Sequence, residues 1–298
     1  GVVTNGQATL ANGSYEQFNI ATTGSFTNFG QLTAGRFFER GAGSQIAQRG
    51  LFGGGANPSN TNVIDFCSFT SGSTFSDFGD LSAAKKSAEG LSNNAGGIGG
   101  AQIQRPSVTY MPGSPKIETF NITTLGNTVT FGSLILNAEN WGGGCGNATR
   151  MLEADGGAAS GYTTQISAIE LASFGNASDF GDSTSARANQ GALSNNTRGV
   201  WGGGYDPDGS PAYSNVIDYV TIATFGNASD FGDLTTNGSG AGGTANSTRG
   251  LFGPRGPGSG LANVIDYITI SSTGDTTDFG DASVSRGQTG MGASSTRA

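Results

Sequence analysis

The chain repeats itself, and the repeat limits the fold more than any other feature. SDFGD stands at residues 76–80, 178–182 and 229–233, and TDFGD at 277–281. TNFGQL around Phe29 and VTFGSL around Phe131 are weaker copies. The six Phe-Gly pairs lie 49, 53, 49, 51 and 48 residues apart. In every unit the last apolar residue of an upstream stretch (Ile20, Phe69, Ile122, Leu171, Ile222 or Ile270) stands nine positions before that Phe. A period of this length means one supersecondary unit used again and again, each copy burying a face on the next. Asp-Phe-Gly also holds magnesium in protein kinases, but a kinase needs a His-Arg-Asp loop. This chain has no histidine.

Within a unit the pattern is constant. An Arg opens a short apolar run ending in glycines, as in RGLFGGG at 49 and RGVWGGG at 198. A turn-rich loop follows, then a β-branched and aromatic stretch such as NVIDFCSF at 62 or NVIDYVTI at 215. Next come the Phe-Gly strand and a small-residue stretch returning to the next Arg. Four short strands separated by Gly, Asn and Ser turns are what a propeller blade requires. The composition agrees: 53 of 298 residues are glycine and only 12% are charged, a mixture that suits strands and tight turns rather than helices. The chain stops at SSTRA, where a new unit would open, and begins GVVTNG, which reads as the run that follows such an Arg. The expectation is a single all-β domain over 1–298. It is a closed six-bladed propeller of four-stranded blades, one of which combines about residues 1–33 with a strand at about 286–295.

The unit resembles a kelch repeat. The residues that carry the resemblance are the apolar strand ending in glycines (VWGGG at 200) and the aromatic near an Asp (VIDY at 216). An aromatic followed by Leu (DFGDL at 230) and a basic residue complete it. That base is Arg36, Lys85, Arg187 or Arg286, seven positions after its Phe. Phe stands where kelch units carry Trp. Only the units opening at Arg49, Arg150 and Arg198 keep two adjacent glycines. The wording NVIDYVTIATFGNASDFGDLT is also similar to repeats in structural proteins of marine bacteriophages. The two resemblances together imply a kelch-like propeller in a virion.

The composition excludes several functions. A net charge of −8 with three lysines does not suit phosphate-backbone binding, so nucleic acid is not an expected partner. No apolar run approaches the ~20 residues of a membrane-spanning helix, and GVVTNGQATLANGS lacks the charged start and apolar core of a secretory leader. Without histidine there is no Ser-His-Asp triad and no His-ligated metal. Cys67 and Cys145 fall at unrelated places in the repeat, which speaks against a disulfide. Carboxylate chemistry, as in glycoside hydrolysis, is the enzymatic alternative. However, the acids sit in repeat register, as structural residues do.

Three sets of residues stand out. Arg49, Arg105, Arg150, Arg198, Arg249 and Arg297 recur once per unit. Glu16, Asp65, Glu118, Asp218 and Asp266 recur in the third strand, with Ser167 the exception. They are read as a structural Arg–carboxylate ladder, with a guanidinium ring that binds an anion as the alternative. YDPDGSPAYSN, residues 205–215, is the longest loop between second and third strands. In it Tyr205 and Tyr213 are candidates for stacking on a partner. Asp206 and Asp208 are candidate acceptors, spaced like the start of a calcium loop but without its closing Glu. AGGIGGAQIQ, residues 95–104, is an insertion expected on the opposite face. No other cofactor is expected. The functional expectation is a non-enzymatic virion protein of a tail, fibre or capsid surface, located on the virion or otherwise outside the cell. It would bind a host glycan or neighbouring virion proteins through its loops.

Overall fold

The computed structural model describes residues 2–3, 14–17, 19–23, 27–36, 40–44, 49–69, 72–85, 116–120, 124–136, 138–140, 142–154, 156–158, 161–173, 175–256, 260–287, 289 and 291–292. These residues form strands and turns without a helix. Unit 1 supplies β1 (Val2–Val3), β2 (Ser14–Gln17) and β3 (Thr27–Gln31). Unit 2 supplies β4 (Arg40–Ser44), β5 (Arg49–Gly53), β6 (Thr61–Ser68) and β7 (Gly72–Lys85), and unit 3 β8 (Lys116–Thr119) and β9 (Val129–Ser133). Unit 4 follows with β10 (Ala138–Asn140), β11 (Gly143–Gly146), β12 (Arg150–Ala154), β13 (Gly157–Ala158), β14 (Gly161–Tyr162), β15 (Gln165–Glu170) and β16 (Ser178–Asp182). Unit 5 is β17 (Gly191–Ser194), β18 (Arg198–Gly202), β19 (Val216–Thr221) and β20 (Ser229–Asp233). Unit 6 is β21 (Gly243–Ala245), β22 (Arg249–Phe252), β23 (Ala262–Thr269) and β24 (Thr277–Arg286), after which comes β25 (Met291–Gly292).

The sheets are arranged like the blades of a propeller, and four blades stand out. Three are four-stranded antiparallel meanders: β11-β12-β15-β16, β17-β18-β19-β20 and β21-β22-β23-β24. The fourth is an eight-stranded sheet, β25-β1-β2-β3-β7-β6-β5-β4, in which the first two units meet through a single parallel bridge, Gln31↔Thr74. Unit 3 contributes the two-stranded ladder β8-β9, and β10-β13-β14 form a small separate sheet. The two ends of the chain share a sheet: β1 lies between β2 and β25, with Val2 opposite Gly292 and Val3 opposite Met291. Arg286, expected to begin that closing strand, lies instead at the end of β24.

The sequence of each strand fits its depth. The innermost strands β11, β17, β21, β25 and β4 neighbour one another in that order and are rich in Gly, Ala and Ser, because strands converging on an axis leave little room for side chains. A Cβ on Gly243 would stand 2.0 Å from the Ala192 carbonyl oxygen. The third strands carry the β-branched and aromatic residues, which suit a pleated half-buried surface.

The apolar clusters lie between units rather than within them. Phe180 of unit 4 packs with Trp201, Val220 and Ile222 of unit 5, and Phe231 of unit 5 with Phe252, Ile268 and Ile270 of unit 6. Ile20 of unit 1 packs against Leu251, Ile265, Phe279 and Met291 at the far end of the chain. Phe29, Phe78, Phe131, Phe180, Phe231 and Phe279 are all buried, and each such burial contributes about 1.5–3 kcal/mol.

The glycine after each Phe has its own reason. Gly79, Gly181, Gly232 and Gly280 have φ between 141° and 147°. The outer edge of one unit hydrogen-bonds the turn of the next: Gly226 N–H donates to the Phe180 carbonyl (2.8 Å) and Ala228 N–H to that of Asp182 (2.7 Å). A Cβ on Gly181 would meet Gly226 backbone atoms at 2.5 Å. The glycine thus lets two backbones touch, and the contact covers an edge that would otherwise be free to pair with other chains.

Candidate functional site

In an antiparallel meander the loops between second and third strands emerge on the same face as the connectors leading to the next unit. We call this the connector face, and the side of the other turns the hairpin face. On the connector face the chain builds the same clasp repeatedly. After β16, the Thr184 hydroxyl donates to Asp218 Oδ1 (2.5 Å) and Arg187 to Asp218 Oδ2 (2.6 Å). Thr33 and Arg36 hold Asp65 in the same way, at 2.6 and 2.9 Å. Ser283 and Arg286 hold Glu16, and Ser82 and Lys116 hold Glu118. Unit 5 has Gly238 where units 1, 2, 4 and 6 place a base. There Arg255 comes from the neighbouring loop, its Cγ 3.1 Å from where a Gly238 Cβ would stand, and pairs with Asp266. Asp65, Asp218 and Asp266 are wholly buried. Burial lowers the Arg187 guanidinium from its usual range, and Asp218, with Asp206 and Asp230, opposes the shift.

The expected ladder therefore has different partners. Arg198 of the first set does not face Asp218 of the second: along β18 it stands opposite Thr221, while Trp201 stands opposite Asp218. The described recurring arginines lie on the hairpin face, and three of them tie their unit to the next through a carbonyl. Arg150 donates to the Ile222 carbonyl (2.7 Å), Arg198 to Ile270 (2.9 Å) and Arg249 to Ile20 (3.1 Å). Arg150 also pairs with Glu170 at 2.6 Å. Their guanidiniums lie over aromatic rings: Arg49 over Phe66, Arg150 over Phe225, Arg198 over Tyr219 and Arg249 over Tyr267, 4.4–4.9 Å from the ring centroids. Arg105, Arg297 and the 95–104 insertion lie outside the described residues.

Unit 4 departs from the pattern. Its third-strand position is Ser167, and the residue opposite Ser167 in the ladder is Glu153, only 2% exposed. In units 2, 5 and 6 that pair is an aromatic opposite an acid: Phe52 and Asp65, Trp201 and Asp218, Phe252 and Asp266. The acid has moved one strand inward, and no sequence signal marked it, because Glu153 lies outside the acid register.

The 205–215 loop sits next to this unit. Tyr205 exchanges backbone hydrogen bonds with Ala188 of the connector (2.9 and 2.7 Å) and bridges Tyr213 across the loop. Asp206 shapes the tip: its Oδ1 accepts the N–H groups of Asp208 and Gly209, both at 3.0 Å. That is the turn-capping role of an aspartate. Among the described residues no group of three or more Asp, Glu or Cys side chains is placed to hold a metal ion. Tyr205 and Tyr213 come together with ring centroids 5.2 Å apart. Tyr162, on the β13–β14 hairpin of unit 4, completes a cluster that the sequence did not reveal, 5.9 Å from Tyr205. All three rings are partly exposed. Burial raises the Tyr162 phenol above its ordinary value, and Tyr205 and Tyr213 raise it further. No protein-family model and no curated protein matches this chain. Cys67 and Cys145 are buried free thiols.

Proposed function

We propose that the chain is a non-enzymatic structural and adhesion protein of a virus particle, a six-bladed kelch-like propeller exposed outside the cell. It uses its connector face to bind a host glycan or a neighbouring virion protein. The count of six is supported by apolar clusters spanning units 1 and 2, 2 and 3, 3 and 4, 4 and 5, 5 and 6, and 6 and 1. The similarity of the repeat wording to marine bacteriophage structural proteins supports the virion setting.

One observation carries the binding role. The repeat's buried acids are committed to clasps that hold units together, whereas the 205–215 loop departs from the repeat on the connector face, where Tyr162, Tyr205 and Tyr213 meet across units 4 and 5. A rigid scaffold that varies only in surface loops places its partner contacts there. The test is to replace 206–212 with a short Gly-Ser turn. Melting is expected to stay nearly unchanged while attachment to host cells or to the virion neighbour weakens. Undiminished attachment would refute the proposal.

A further inference from the structure

We infer that the tyrosine cluster is a saccharide subsite, made by two units together, that stacks on the C–H face of a neutral pyranose. The inference rests on the adhesive reading of the connector face and names its ligand class.

Ring geometry comes first. Tyr205 and Tyr213 are tilted by 48° and Tyr162 stands at 67° to Tyr205. Tyr162 meets Tyr205 edge to face and Tyr213 leans on Tyr205 at a tilt, and each residue keeps part of its surface in solvent. Tyr15, by contrast, is wholly buried in the core. A tyrosine offers an apolar face beside a hydroxyl. A pyranose has the complementary surface, a patch of axial C–H bonds ringed by hydroxyls.

The cluster is also held in place before any ligand arrives. Tyr205 is fixed by paired backbone bonds to Ala188, Tyr213 by its bridge to Tyr205, and the tip by Asp206. Stacking on a preorganised surface loses little conformational entropy.

Charge selects the class of sugar. The rim carries two carboxylates, partly buried Asp206 and exposed Asp208. Arg187 beneath them is wholly buried and paired with Asp218. Carboxylates accept hydrogen bonds from sugar hydroxyls and repel uronates and sialic acids. The raised Tyr162 phenol stays protonated at neutral pH and remains a donor.

The test uses the purified full chain with methyl glucoside, methyl galactoside, methyl mannoside, glucuronic acid and N-acetylneuraminic acid as probes. Saturation-transfer NMR and titration are the readouts. At least one neutral methyl pyranoside is expected to bind through its ring protons and to be preferred over both acids. Tyr162→Ala and Tyr213→Ala are each expected to weaken it about tenfold or more. Asp208→Lys, at an exposed position, guards against misreading an unfolded variant: it is expected to raise glucuronate binding. The inference is overturned if no neutral pyranoside binds, if binding survives both tyrosine substitutions, if the acids are preferred, or if Asp208→Lys leaves glucuronate unaffected. Attachment lost with the 206–212 loop but no pyranoside bound would mean a protein partner, which sinks this inference and leaves the adhesive reading standing. Pyranoside binding with undiminished attachment would do the reverse.

Discussion

Gly181 shows how much one residue of this repeat decides. Its φ of 145° is one that side chains rarely adopt, and a Cβ there would strike the Gly226 backbone at 2.5 Å. Gly226 has φ 153° but open space around its own Cβ position. Gly181→Ala therefore incurs both strain and a clash, and Gly226→Ala only strain of about 1–3 kcal/mol. The former is expected to melt at the lower temperature, and equal melting points would refute the contact. The importance of Phe-Gly was legible in the sequence because six copies share one register. The partners of the acids were not. Two sets of bases keep register with the carboxylates, and spacing alone does not tell which set lies on their face of the sheet. The structure assigns Arg187 to Asp218, both buried. Arg187→Ala leaves a buried charge alone and is expected to cost about 3–5 kcal/mol in denaturant unfolding. Arg198→Ala loses a carbonyl bond and a stack at a half-buried site, about 1–2 kcal/mol. The reverse order would restore the ladder first read from the sequence.

At the scale of the element, the turns do as much as the strands. Asn147, Asn195 and Asn246 each accept hydrogen bonds from the Thr and Arg that follow, which folds the first hairpin of units 4, 5 and 6. Asn147 and Asn195 also donate to a carbonyl of the next unit. Asn227 belongs to a glycosylation sequon, yet its Oδ1 accepts the Asp182 N–H at 3.1 Å, stapling unit 5 to unit 4. These roles were hidden because an Asn-rich turn reads the same whether its side chain faces water or a neighbouring strand. The inner and third strands meanwhile shield the thiols. Cys67 is pushed up from 9.0 to about 12, mainly by burial, and burial followed by the Glu153 charge raises Cys145 as well. The fold thus keeps a proton that the unfolded chain begins to release near pH 9. That contribution to stability is present below this pH and is lost as pH rises toward 12. Melting temperature is expected to fall above about pH 9, less steeply in Cys67→Ala. Both thiols are expected to resist an aromatic disulfide reagent until the chain is unfolded, and rapid modification in the native state would contradict their burial.

At the scale of the whole molecule, stability depends on the last unit finding the first. Several of the contact types that join consecutive units recur between unit 6 and unit 1, at opposite ends of the chain. Arg249 donates to the Ile20 carbonyl, Arg286 and Ser283 hold Glu16, Ile20 enters the cluster of Phe279, and β25 pairs with β1. The likeness of the chain's beginning to the run after each Arg was enough to foresee this pairing. The masses of Gly and Ser between were not enough to place the strand, since small residues alternate without a hydrophobic period to fix a register. In a ring of nearest-neighbour units, the last interface closes a loop that the others have already shaped. Deleting 289–298 removes β25 and Met291, which is 4% exposed. The deletion leaves β1 with a free edge and uncovers Leu251 and Ile265 next to Met291 in the core. An uncovered edge beside an apolar patch is a template for other chains. The truncated chain is therefore expected to melt broadly and to form soluble aggregates on size-exclusion chromatography. Arg249→Ala, which removes one bond of the same interface, should lower melting while leaving the chain monomeric. A truncated chain that melts as sharply as the parent and elutes as a monomer would show that the ends do not hold the ring together.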